Sequence, residues 1–144
     1  MIKIICVGKI KEKYLLDAIN DYVMRINKYH KIEIIEIPDN DIITERENIL
    51  KKINPKDYLI TLEIEGKNLN SIELSNLIDK TFIANSTITF VIGGSTGLHE
   101  DIKNISNYHL SFSNFTFPHG LFRLILLEQI YRSFKILNNE TYHK

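Results

Sequence analysis

Five residues without a charge, Ile88-Thr89-Phe90-Val91-Ile92, stop abruptly at Gly93-Gly94-Ser95-Thr96-Gly97. A short apolar run closed by glycine reads as a strand buried on both faces. Such a strand needs helices above and below its sheet, so this stretch alone points to an α/β fold. A second short strand, around Tyr108 to Phe112, runs into Ser113-Asn114-Phe115-Thr116-Phe117-Pro118-His119. A long helix from Leu121 to about Leu137 follows, apolar on almost every side apart from Glu128, Arg132 and Lys135. Together these segments read as a ligand pocket backed by an interface.

The preceding chain repeats the same alternation. Ile2 to Val7 is an apolar run broken only by Lys3, and Tyr14, Leu15, Ala18, Ile19, Tyr22, Val23 and Ile26 then form one stripe at helical period. Ile32 to Ile37 and Tyr58 to Ile64 read as strands, the latter ending at Glu65-Gly66-Lys67. Asp41 is placed to cap a helix within Asp39–Ile53, and Asn70 or Ser71 to cap the next. The short segment from Leu98 to about Ile105 reads as a further helix. Strands alternating with helices predict a mostly parallel sheet with helices on both faces, and ligands beyond the strands' carboxyl ends.

The 144 residues fit one domain, residues 1–144, with no repeat or linker. Charged residues make up 25% and hydrophobic residues 44%, which is ordinary globular material. Cys6 is the one cysteine, so no disulfide framework exists, and its apolar neighbours mark it as core. With no signal peptide and no run of membrane length, the cytoplasm is the expected location. Zero net charge argues against a generic nucleic-acid coat, yet its distribution is uneven. Residues 1–31 hold seven Lys/Arg against three Asp/Glu, whereas residues 32–65 hold four against nine.

The glycine turn is not a phosphate-binding motif: no Gly-Lys-Ser/Thr follows, and Gly93 and Gly94 are adjacent rather than split. No Gly-x-Ser-x-Gly elbow supports a serine nucleophile. His30, His99, His109, His119 and His143 show no i, i+4 pair and no cysteine companion, so no metal is expected. Arg123, alone among apolar neighbours, demands a carboxylate, a carbonyl or a ligand.

In combination, these segments resemble the SPOUT methyltransferases, and among them the H-type enzymes of large-subunit ribosomal RNA. The resemblance rests on Val7-Gly8-Lys9, Leu62-Glu63-Ile64-Glu65-Gly66-Lys67, and Val91 through Leu98. It continues through Leu110-Ser111-Phe112-Ser113, Thr116-Phe117-Pro118-His119, Arg123, Glu128-Gln129-Ile130-Tyr131-Arg132 and Tyr142-His143-Lys144. Two features depart from it: the segment from Pro38 to Ile49 is short, and the last residue is Lys144 where arginine also occurs. The resemblance implies a five- to six-stranded SPOUT-type α/β knot, with a trefoil knot in its C-terminal part. It implies S-adenosylmethionine bound by Leu62, Gly93 and the run Phe112, Ser113, Asn114, Phe115, Thr116, Phe117.

It also implies a homodimer with composite sites, acting on N3 of a pseudouridine in 23S ribosomal RNA, on the assembled ribosome. Its catalytic candidates are His143, first as base, then Tyr142, Arg132 and His119. On residues alone, Tyr142 to Lys144 would be a frayed, solvated end. Two other readings stand beside this one: a non-enzymatic ribosome-associated factor, and a small nucleotide-binding α/β protein. Flavin would make the last one yellow.

Overall fold

A computed structural model describes residues 1–144. Its elements, in chain order, are β1 (Ile2–Val7), α1 (Lys13–Ile26), β2 (Ile32–Ile37), α2 (Ile42–Leu50), β3 (Tyr58–Asn68), α3 (Ser71–Ala84), β4 (Ile88–Ile92), α4 (Glu100–Ile105), β5 (Tyr108–Ser111) and α5 (His119–Leu137). The five strands form one sheet in the order β2-β1-β4-β3-β5, every pair parallel. All carboxyl ends therefore share one edge. β4 is inserted between β1 and β3, and all five of its residues are buried.

Alternation along the strands builds two cores. Ile2, Ile4, Ile60 and Phe90 face Leu15 and Ile19 of α1, Leu74 and Ile78 of α3, and Leu126, Ile130 and Phe134 of α5. Ile5, Val7, Leu59 and Val91 face Ile49 of α2 and Ile102 of α4. Phe90 is fully buried, so truncating it to alanine is expected to cost about 3–5 kcal/mol. The expected caps are present: Asp41 accepts from the Thr44 amide at 2.9 Å. Asn70 and Glu73 form a reciprocal capping box.

β3 departs from expectation by running past Glu65-Gly66-Lys67 to Asn68. Leu62 and Lys67 share Leu110 as register partner, so Glu63 to Gly66 bulge out and the strand resumes. Gly66 permits this because a Cβ there would lie 2.8 Å from the His109 carbonyl. A composition typical of a turn here serves a close strand approach.

Candidate functional site

Four loops at the carboxyl edge enclose a cavity of about 370 Å³. They are Leu62–Glu65 within β3, the turn after β4, the segment after β5, and the first turn of α5 through His119 and Phe122. That volume falls in the range of small-molecule sites. Gly93 is obligatory, since a Cβ would sit 2.7 Å from the Gly97 carbonyl carbon. Gly97, at φ +76°, opens on empty space where a Cβ would meet nothing within 4 Å. Rings of Phe112 and Phe117 flank Phe122, with centroids 5.2 and 5.8 Å away. The Phe115 amide donates to the Ser113 hydroxyl at 3.0 Å, which shapes the loop from within.

Every residue expected to bind cofactor lines this cavity except Asn114, which is exposed outside the lining set. The cavity includes groups that stood in a quoted motif but were assigned no role. Glu63 and Glu65 stand on the β3 bulge, facing Lys103 of α4. Glu63 accepts from the Thr61 hydroxyl at 2.6 Å and pairs with His109. A carboxylate next to Leu62 in an otherwise apolar strand was the available signal.

Of the catalytic candidates, only His119 borders the cavity. The others gather at the far end of α5. Glu128 takes both Nε and Nη2 of Arg132, the latter at 2.9 Å, and accepts the Tyr142 hydroxyl at 2.9 Å. The Arg132 guanidinium also lies over the Tyr142 ring, 4.7 Å from its centroid. Arg132 Nη1 meets His143 Nδ1 at 3.1 Å. A guanidinium only donates, so Nδ1 accepts and the ring proton sits on Nε2. Burial, then hydrogen bonds to Tyr22 and Glu128, hold the Tyr142 phenol protonated well above its ordinary range. Glu140 accepts from Tyr29 at 2.7 Å and from Lys135 at 3.0 Å. The tail is thus strapped down rather than frayed, and it covers the polar strip of α5. Glu128 is the missed member: it stood in the Glu128-to-Arg132 motif without a role, and its i, i+4 spacing to Arg132 marked the pair.

Arg132 lies about 20 Å along the helix axis from His119, at 1.5 Å per residue. One chain therefore does not bring its tail to its own cleft. Arg123 has found both a carboxylate and a carbonyl: Glu36 at 2.7 Å and Gly8 O at 3.2 Å. It is a structural pair. Burial pushes the Cys6 thiol up to about 11, which suits core rather than chemistry. No three His, Cys, Asp or Glu side chains come together as metal ligands, and no helix is long and apolar enough to cross a membrane.

The family model described as "Predicted SPOUT methyltransferase" matches residues 1–143. The chain belongs to the SPOUT methyltransferase family. Proteins of Clostridium botulinum strains 657 and Kyoto, both called "Ribosomal RNA large subunit methyltransferase H", are 50% and 51% identical to it. Each match covers 99% of both chains. These alignments span 157 positions against 144 residues, so at least 13 positions filled in the relatives are missing here. Among solved structures, a methylase family protein from Haemophilus influenzae Rd KW20 superposes with TM-score 0.58 at 14% identity, covering 99% of this chain and 70% of that one. The tRNA (m1G37) methyltransferase from Aquifex aeolicus does so with TM-score 0.56 at 16% identity, covering 91% and 69%. At such identities the likeness speaks for the fold.

Proposed function

We propose that two copies of this chain form a cytoplasmic homodimer that methylates N3 of a pseudouridine in 23S ribosomal RNA, on the assembled ribosome, using S-adenosylmethionine. A trefoil knot in the C-terminal half belongs to the same reading. The carrying observation is the glycine-walled cleft at the sheet's carboxyl edge, in a chain half identical to proteins named for ribosomal RNA methylation.

The cleft fits the cofactor. Gly97 opens a cradle that any Cβ would enter, four phenylalanines supply apolar wall, and Glu63 and Glu65 outnumber Lys103 in the lining, which favours a cationic ligand. When bound, S-adenosylmethionine supplies an electrophilic methyl for in-line displacement, so positioning provides much of the catalysis. The target imide must lose its proton, and its carbonyl oxygens then carry the charge. His143, with its ring proton on Nε2, donates and suits those oxygens, whereas the Tyr142 proton is held by Glu128. His143 becomes a base only by releasing Arg132. His119, at the cavity rim, is the alternative proton acceptor.

The distance along α5 supports a composite site in which one protomer's tail serves its partner's cleft. Leu121, Leu124 and Ile125, incompletely buried, offer the second apolar face that such pairing needs. The test is transfer of labelled methyl to ribosomes lacking the modification, beside free ribosomal RNA. Label on the ribosomes and little on free RNA is expected. No label on either would sink the proposal.

A further inference from the structure

We infer that the loop joining β1 to α1, from Gly8 to Glu12, together with Lys13 at the start of α1, grips phosphates of the RNA substrate and sets the side from which RNA reaches the cleft. The inference rests on the methylation proposed above.

Position comes first. β1 pairs with β4 through Cys6 and Ile92, which brings the loop beside the glycine turn. A Cβ on Gly94 would lie 2.8 Å from Val7 Cγ1, and one on Gly120 would lie 2.9 Å from Ile10 Cδ1. The loop is therefore wedged between two walls of the cleft. Its backbone is pinned: Arg123 donates to the Gly8 carbonyl, and Glu36 accepts from the Ile10 amide at 3.3 Å. Ile10 is buried, so its neighbours Lys9 and Lys11 are thrown outward and exposed. Neither forms an ion pair. Lys13 meets only Asp17, at 3.6 Å with both side chains mostly exposed, a pairing worth little.

The opposite flank carries the other sign. Glu63, Glu65 and Glu100 outnumber Lys67 and Lys103 around the groove that continues from the cavity past His109. The loop side holds Lys9, Lys11 and Lys13 against Glu12 and Asp39, the latter beside Gly8 and Gly94, so it is the less acidic of the two and the one a polyanion approaches. The first turn of α5, capped by no side chain at Pro118, adds partial positive charge on the lysine side. Lysines on a pinned backbone beside a reaction cleft suit phosphate contacts that fix register without reading bases. They also let a chain of zero net charge bind RNA locally.

The test uses the full chain with Lys9→Glu and Lys11→Glu combined, and Lys56→Glu with Lys80→Glu as a charge-matched pair at the far edge. Transfer to ribosomes is followed against salt, with cosedimentation as a separate readout of binding. For the loop pair, KM for ribosomes should rise roughly 50- to 100-fold. The slope of log kcat/KM against log salt should become shallower by about 1.5. Turnover at saturation and affinity for S-adenosylmethionine should stay within about twofold. Loop variants within threefold of the native chain, or a far-edge pair equally impaired, would overturn the inference. So would lost affinity for S-adenosylmethionine in the loop variant. A native chain that cosediments in a loop-dependent manner without methylating would overturn only the chemistry. One that neither binds nor methylates would overturn both.

Discussion

At its N-terminal end α5 borders an open cleft made of backbone, glycine and phenylalanine rings. At its C-terminal end the same helix is closed over by the chain's last residues through Glu128, Arg132 and Lys135. The first end has room and few fixed polar side chains, as a ligand site requires. The second has little room and its hydrogen bonds are mutually satisfied. The two ends thus rest on different physics, close backbone approach at one and ordered charge at the other. Each end should fail in its own way.

The largest effect is expected from deleting Tyr142 to Lys144. Transfer to ribosomes should fall by roughly 10²- to 10⁴-fold, while calorimetry finds S-adenosylmethionine affinity within about twofold of native. Full activity in the truncated chain would erase the division. Gly93→Val attacks the other end. Its side chain must displace the Gly97 backbone, so cofactor affinity should drop by about 100-fold or more, with a stability loss of about 1–3 kcal/mol. Native affinity in this variant would place the ligand elsewhere.

Glu128→Gln sharpens the comparison. It keeps the volume but removes the charge that orders Arg132 and Tyr142, at a cost of about 1.5–3 kcal/mol. The turnover rate should fall roughly tenfold or more while cofactor affinity is unchanged, and Glu128→Asp should recover part of it. An unchanged rate would reduce the network to a structural strap.

The smallest effect concerns His30, stacked on Phe82 at 4.3 Å. Burial first, then the N-terminal amine, lowers its pKa below the ordinary 6.5. The unfolded chain thus binds this proton more readily, so the stability at stake is complete above about pH 6.5 and declines as pH falls below it. His30→Phe should flatten that part of the melting-temperature profile. An identical slope would assign it to other groups.

Much of the first end was legible in the sequence. An apolar run stopped by glycines, and a loop of small polar residues between aromatics, declare a wall wherever the strands lie. Asp41 and Asn70 declared their helix starts through local hydrogen bonding. The second end was not legible in the same way. Tyr142 and His143 sit in an aperiodic stretch whose order depends on side chains of α1 and α5 distant in sequence. Glu128 and Arg132 read as a polar strip on an apolar helix, and the stretch that covers it carries no period of its own. The β3 excursion was hidden for a related reason: Gly66 has the composition of a turn until His109 is seen packed against it. That Glu36 answers Arg123 depends on which strand lies beside β1.

The length of α5 has one more consequence. If each reaction centre draws its cradle from one chain and its proton-handling tail from the other, genetic complementation follows. A Gly93→Val chain and a chain ending before Tyr142 would each be inactive alone. Mixed and allowed to exchange partners equally, they would form hybrids in which one of two sites is whole, returning about a quarter of native activity.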